Sequence, residues 1–322
     1  MKNWKLFISY LIFTGILFVS CATKHPETVQ LTDAEPVYVE EIEEVVIPEP
    51  TAEELFLEKI NGINIEFTNI PAKVKKNKAF GSAYSIKITD SNGSAVSNFE
   101  VKLKVPVRKE AAQLVFEEIK MISDENGIIN YEPQKPDFSA QTEITAMPFI
   151  PSELNINEED VANQIAKAAF LVESDITAKG AILFVFEYNE NGKSPKNSND
   201  ILFGLRKKGV SMIGNAPISD NTSYINASKE KIYKENFEYV GTDFGYLIGG
   251  TIKFTNPVQK NEDGTYTANM VAYLYGIDMK TGEVIYEQTI ENTSEGANWN
   301  KAVDSCKTKL TADAVDSLMF GL

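Results

Sequence analysis

The chain has 322 residues, of which 46 are Asp or Glu and 31 are Lys or Arg, so its formal net charge is −15. This acidity excludes the basic footprint expected of nucleic-acid binding. The single histidine, His25, lies only four residues past Cys21 in a proline- and acid-rich segment. With no other histidine in the chain, Ser-His-Asp and Cys-His catalytic arrangements and histidine-rich metal clusters are excluded.

The chain opens with Lys2 and Lys5 and then runs apolar over residues 6–19. A membrane-spanning helix needs about 20 apolar residues, so this run is better suited to the central part of a signal peptide. The residues that follow, Phe18-Val19-Ser20-Cys21-Ala22, resemble the lipobox of bacterial lipoproteins. An ordinary secreted protein or an uncleaved amino-terminal anchor is the alternative.

The lipobox resemblance implies cleavage between Ser20 and Cys21, a lipid thioether on the Cys21 sulfur and a fatty acyl chain, typically palmitate, on the new amine. Ala22, in place of Asp, implies transfer to the outer membrane in lipoproteins of enteric type. If Cys21 carries lipid, Cys306 has no partner for an intramolecular disulfide. The sequence therefore predicts a lipid-anchored protein of the cell envelope.

Residues 21–58 predict an acidic tether, because eleven of the 46 acidic residues lie here together with four prolines. Charge repulsion and proline keep such a segment extended. An alternative is that Val37–Val46, which mixes apolar and acidic residues, is a docking strip for a partner.

Residues 59–151 predict a β domain, since apolar and polar residues alternate over 85–89 and 101–105 and a further strand-like run ends at Ile122. Turn residues separate these runs at 90–93 and 124–127, and neither turn fits a calcium-binding loop. The pattern over 89–96 and 123–127 resembles bacterial immunoglobulin-like domains, which implies a β-sandwich.

Residues 152–322 predict an α/β domain with a mixed sheet flanked by helices. Asn157 is a candidate cap for a helix with an apolar stripe through Val161 and Val172. The remaining predicted elements are strands at 181–186, 210–213, 246–254, 266–278 and 283–291, and helices through 201–205, 229–236 and 297–318. The last helix has an apolar stripe made of Trp299, Val303, Cys306, Leu310, Ala314 and Leu318.

The stretch Gly241–Ile252, the turn Asp278-Met-Lys-Thr-Gly-Glu283 and the final helix resemble the fold shared by three envelope proteins. These are the curli-secretion lipoprotein, the lipoprotein activator of penicillin-binding proteins and the TolB amino-terminal domain. The resemblance covers residues 157–322 and implies an α/β domain used for protein contact.

No residue pattern predicts a catalytic, cofactor or metal site. Cys306 on the apolar stripe predicts a buried thiol, and Gly249 and Gly250 lack a phosphate-binding pattern and predict close backbone packing. Carboxylate pairs, with Tyr273 and Tyr275 as candidate sugar-stacking residues, leave a carboxylate-dependent cell-wall hydrolase open.

The favoured interpretation is a non-enzymatic envelope lipoprotein that scaffolds or regulates through contact with an envelope protein. The first alternative is an oligomeric export-pore component of curli-secretion type, and the second is the hydrolase. The sequence leaves the oligomeric state and the identity of the partner open.

Overall fold

The computed structural model describes residues 49–193 and 196–322, and Pro50–Leu322 form one compact unit. Ser20, Cys21 and the tether up to residue 48 lie outside the described residues. Cleavage and lipidation therefore stay predictions from the sequence. Within the described ranges, no helix has both the length and the apolar character needed to cross a membrane.

The first described element is helix α1 (Ala52–Ile60), which begins inside the segment expected to be a tether. The Thr51 hydroxyl accepts a hydrogen bond from the Glu54 N–H at 3.2 Å, and the Glu54 carboxylate accepts one from the Thr51 N–H at 2.8 Å. This capping box satisfies two main-chain donors that the helix itself leaves unpaired. Phe56 and Leu57 then pack against the β core. Residues 52–58 are helical because the cap and these apolar contacts outweigh the local acidity.

Eight strands follow, and they form two sheets around a shared apolar core. In chain order they are β1 (Asn64–Asn69), β2 (Val74–Lys75), β3 (Tyr84–Thr89), β4 (Glu100–Glu110), β5 (Gln113–Ile122), β6 (Ile128–Tyr131), β7 (Ala140–Pro148) and β8 (Ala166–Glu173). The first sheet has the order β1-β3-β6, and the second has the order β2-β8-β7-β4-β5. Ile86, Ile88, Val101, Leu103 and Val105 are fully buried, as the predicted alternation requires.

The two predicted turns are closed by aspartate side chains. In each turn the first residue is an aspartate, Asp90 or Asp124. Its Oδ1 atom accepts main-chain hydrogen bonds of 2.8–2.9 Å from the N–H groups two and four positions later. Gly93 and Gly127 have φ of +78° and +71°, a conformation that glycine adopts without strain. The turns lie where the sequence predicted turns, and their aspartate side chains stabilise them.

The prediction of a helix from Asn157 to Val172 is wrong. Glu158–Gln164 form a short 3₁₀ helix, and Ala166–Glu173 are strand β8. Ala168, Phe170 and Val172 are buried at alternate positions, and β8 pairs with β7 over seven residue pairs. Because this pairing satisfies the main chain and buries Phe170, it prevails over the helical spacing. The sheet therefore continues past residue 151, where the expected β domain ends.

The remaining elements form a mixed sheet flanked by helices, as predicted. They are α2 (Ile176–Lys179), β9 (Ala181–Glu187), β10 (Lys196–Asn197), α3 (Asn199–Lys207), β11 (Ile213–Asn215), α4 (Lys229–Val240), β12 (Tyr246–Phe254), β13 (Gln259–Lys260), β14 (Tyr266–Asp278), β15 (Val284–Gly296) and α5 (Trp299–Gly321). Strand β9 pairs in parallel with β11 and β12, and β14 lies antiparallel between β12 and β15.

Helix α5 covers one face of this sheet. Cys306, Leu310, Ala314 and Leu318 are buried, which confirms four positions of the predicted stripe. Burial raises the pKa of the Cys306 thiol, which donates to the Asn292 carbonyl at 3.1 Å.

Trp299, expected on the same stripe, is 40% exposed, and its Nε1–H donates to Glu190 at 3.0 Å. The prediction fails there because Trp299 is the first residue of α5 and lies at the edge of the packed surface.

The glycine pair in β12 has the role that the sequence predicted. Gly249 lies opposite Tyr275 in β14, and a side chain at Gly249 would collide with the Tyr275 ring. A side chain at Gly250 would collide with the main-chain oxygen of Tyr273. Close packing therefore explains both glycines.

Candidate functional site

The candidate site is a groove between α3 and α5, which lie side by side on one face of the sheet. Asp200, at the start of α3, forms an ion pair with Lys307 at 2.6 Å, and Lys208, just after α3, forms one with Asp316 at 2.7 Å. The residue numbers of both partners increase from the first ion pair to the second, so the two helices run in the same direction. The groove encloses about 950 Å³.

Gly204 sets the distance between the two helices. A Cβ atom at this position would lie 2.5 Å from a methyl group of Val315, so only glycine allows the observed packing. Glycine lowers helix stability by about 1 kcal/mol relative to alanine. Its presence in the middle of a nine-residue helix therefore indicates that the close approach of α3 and α5 is a required feature.

The middle of the groove is apolar. Phe203 is 52% exposed at its edge, although Ile201, Leu202 and Leu205 of the same helix are buried in the core. Ala312 and Val315 of α5 line the other wall. An aromatic ring held half in water beside an apolar cleft is a typical anchor point of a protein contact.

The two ends of the groove carry opposite charges. Arg206, Lys207 and Lys208 lie at one end, where Asp316 is the lining carboxylate. Among the residues that the structure describes, Lys207 takes part in no ion pair, whereas Arg206 donates to the Ile213 carbonyl at 3.1 Å. This end is therefore cationic.

At the opposite end, Lys307 is surrounded by carboxylates. Its ammonium group lies 2.9 Å from Glu187 and 2.6 Å from Asp200, and Asp304 lines the groove beside it. Burial alone would lower the pKa of Lys307, but the hydrogen bonds to Asp200 and Glu187 outweigh burial and raise it. Lys307 is thus held as a cation within an acidic end.

A smaller depression of about 540 Å³ lies beside α1 and is lined by Phe56, Phe99 and Phe149. The Lys120 ammonium group sits 4.1 Å above the Phe149 ring, within the range of a cation–π contact. Lys59 and Glu100 are the charged residues of its lining, which is smaller than that of the α3–α5 groove.

The sequence predicted α3 and α5 but not the groove between them. Cys306, the chemically distinctive side chain in α5, lies in the core and outside the groove. Two features of the sequence could have indicated the groove. Phe203 is an aromatic residue outside the buried stripe of α3, and three consecutive cations follow at 206–208. Among residues 49–193 and 196–322, no group of three or more His, Cys, Asp or Glu side chains could hold a metal ion.

Comparison with known proteins places this groove in a lipoprotein domain. The family model of the TP0693-like lipoprotein C-terminal domain matches residues 180–319, which include every residue of the groove. This match confirms the prediction of a lipoprotein. Lipoproteins are lipid-anchored proteins of the cell envelope. A comparison with curated proteins yields no match.

Several solved structures are similar at low identity. The PelC dodecamer from Paraburkholderia phytofirmans shares 19% identity over 43% of this chain and 85% of its own, with a TM-score of 0.28. Lipoprotein GNA1162 from Neisseria meningitidis shares 12% over 42% of this chain and 98% of its own, with a TM-score of 0.26. The hypothetical protein CT253 from Chlamydia trachomatis shares 9% identity over 44% of this chain and 97% of its own, with a TM-score of 0.28.

Proposed function

We propose that this envelope lipoprotein is a non-enzymatic scaffold or regulator that binds an amphipathic helix of another envelope protein in the α3–α5 groove. The observation that carries the proposal is the half-exposed Phe203 ring in an apolar cleft with oppositely charged ends. A helix can bury an apolar face in such a cleft while its polar face stays in water.

The charges of the groove define the helix that fits. A partner whose first turn is acidic would place its carboxylates near Lys207 and Arg206, and cations in its last turn would meet Asp304 and Asp200. Such a helix runs antiparallel to α3, so the dipoles of the two helices oppose each other favourably. Residues 200–208 span about 12 Å at about 1.5 Å per residue, so two to three turns of a partner helix fill the groove.

The other parts of the chain have supporting roles in this proposal. Acyl chains on Cys21, including palmitate, anchor the protein, and Ala22 favours the outer membrane. Two or more acyl chains anchor a protein stably where one does not. The β-rich half, whose two sheets enclose one core, follows the anchor and precedes the groove along the chain, and it serves as an immunoglobulin-like spacer domain.

Site-specific photocrosslinking in living cells tests the proposal. A photoreactive amino acid replaces Phe203 in the groove or, as a matched control, Tyr239 on α4, which is 70% exposed. We expect a discrete crosslinked envelope protein from position 203, and its crosslinked peptide should be an amphipathic helix. The same adduct from both positions, or none from position 203, would contradict the proposal.

A further inference from the structure

The seven-stranded sheet has two very different edges. On one side, β9 is flanked by the short strands β10 and β11, of two and three residues. On the other side lies β15, which has 13 residues and pairs along its length with β14. Within the described ranges, no further strand pairs with β15. A long edge strand leaves a row of main-chain N–H and C=O groups open to another strand.

The side chains of β15 divide between two faces. Tyr286, Ile290 and Ser294 face α5. Glu287, Glu291 and Glu295 lie four residues apart on the opposite face. Glu287 forms an ion pair with Lys229 of α4. Glu291 and Glu295 are exposed and take part in no ion pair among the residues the structure describes. The far half of this edge therefore presents unneutralised carboxylates at a spacing of four residues.

The β5 edge of the five-stranded sheet differs in its charges. Strand β5 carries charges of both signs, and they are neutralised by β4: Glu118 pairs with Lys102 at 3.3 Å, and Lys120 pairs with Glu100 at 2.8 Å. Strand β15 has no comparable cations, because its neighbours in β14 at the positions of Glu291 and Glu295 are Val271 and Thr267.

An exposed aromatic residue lies beside the same edge. Tyr273 of β14 is 48% exposed and pairs with Thr289, between Glu287 and Glu291. A cation on an added strand would therefore meet a carboxylate of β15 directly, which favours Lys or Arg, while Tyr273 lies one strand further in on the same face.

We propose that the β15 edge binds an extended, cationic segment of a partner protein as an additional strand. Main-chain hydrogen bonds would provide affinity, and Lys or Arg at alternate positions would provide specificity through Glu291 and Glu295. A second copy of this chain does not fit, because pairing two β15 edges would bring six glutamates together on one face. This surface is separate from the α3–α5 groove, so either can fail without the other.

The test uses the full lipidated chain in detergent and a nine-residue probe peptide of alternating lysine and threonine with blocked ends. Binding is measured at low ionic strength for the wild type, for Glu291→Lys with Glu295→Lys, and for a control with the same charge change, Glu117→Lys with Glu125→Lys. Amide hydrogen exchange over residues 284–296 and 113–122 is followed with and without the peptide.

We expect the β15 variant to lose affinity by at least about ten-fold and the control to lose much less. Bound peptide should slow exchange in 284–296 and leave 113–122 unchanged, because only strand addition protects the edge amides. Absence of binding, equal losses in both variants, or binding without slower exchange in 284–296 would overturn the proposal. Peptide-free exchange patterns that match the wild type would establish that the variants are folded.

Discussion

At the scale of single residues, Gly204 determines how closely two helices approach. In an isolated helix, Gly204→Ala would be stabilising by up to about 1 kcal/mol. Here the new methyl group would lie 2.5 Å from Val315, a β-branched residue whose side chain has little freedom in a helix. The sign of the mutational effect therefore reports whether the packing seen in the structure governs stability.

We predict that Gly204→Ala lowers the free energy of unfolding by about 1–3 kcal/mol, the usual cost of overpacking. Gly214→Ala, where nothing lies within 4 Å of the added Cβ, should change it by less than about 0.5 kcal/mol. Urea unfolding measures both. Val315→Ala should cost less in the Gly204→Ala background than in the wild type, because it relieves the collision. Equal costs in the two backgrounds would count against this contact as the cause.

Asp175 gives a second prediction at this scale. Its carboxylate accepts a hydrogen bond from the Tyr246 hydroxyl and lies 2.9 Å from the Lys179 ammonium group. Burial would raise the pKa of Asp175, but these two partners outweigh burial and lower it below 3.8. A carboxyl group with a lower pKa in the folded state stabilises the fold above its unfolded pKa, and this stability is lost as the pH falls through the folded pKa.

We therefore expect Asp175→Asn to lower the free energy of unfolding by about 1 kcal/mol near neutral pH, with a difference from the wild type that shrinks as the pH falls below 3.8, the ordinary pKa of the carboxyl group. Asp243→Asn, at an exposed position, is the control. Urea titrations across this pH range measure the effect, and a difference that is constant with pH would refute the assignment.

At the scale of elements, the sequence predicted those parts of the fold that local pattern determines. Strands β12 and β14 have the predicted bounds, and α3, α4 and α5 lie where the apolar spacing placed them. Strand β8 was missed because its small and apolar residues satisfy both a helical and a strand period. Only pairing with β7, the preceding strand, decides between them, and a local period does not reveal that pairing. The groove was missed for the same reason, since α3 and α5 are separated by about ninety residues.

Helix α1 offers a prediction at this scale, because its start depends on the capping box. Thr51→Ala removes one acceptor and should cost about 1 kcal/mol, with faster amide exchange confined to the first turn of α1. Thr255→Ala changes an exposed threonine that caps no helix and should have little effect. Unaltered exchange in Thr51→Ala would show that tertiary contacts of Phe56 and Leu57 alone hold the helix.

At the scale of the whole molecule, the lipid anchor and the contact surface belong to different parts of the chain. The anchor was predicted from the lipobox, and the lipoprotein assignment is confirmed by the match over residues 180–319. We predict that Cys21→Ala abolishes lipid attachment and releases the chain from the membrane fraction or leaves its signal peptide uncleaved. Metabolic labelling with a clickable fatty acid and fractionation measure this, with Cys306→Ala as the control. Continued labelling of Cys21→Ala would contradict the anchor.

The most direct test of the central claim is a charge exchange across the α3–α5 groove. Lys207→Glu should reduce the photocrosslink from position 203 about five-fold, which corresponds to about 1 kcal/mol of binding free energy. Replacing the facing carboxylate of the captured helix by lysine should restore the yield in Lys207→Glu cells and reduce it in wild-type cells. An unchanged crosslink in Lys207→Glu, or no restoration by the exchanged partner, would contradict the proposed function.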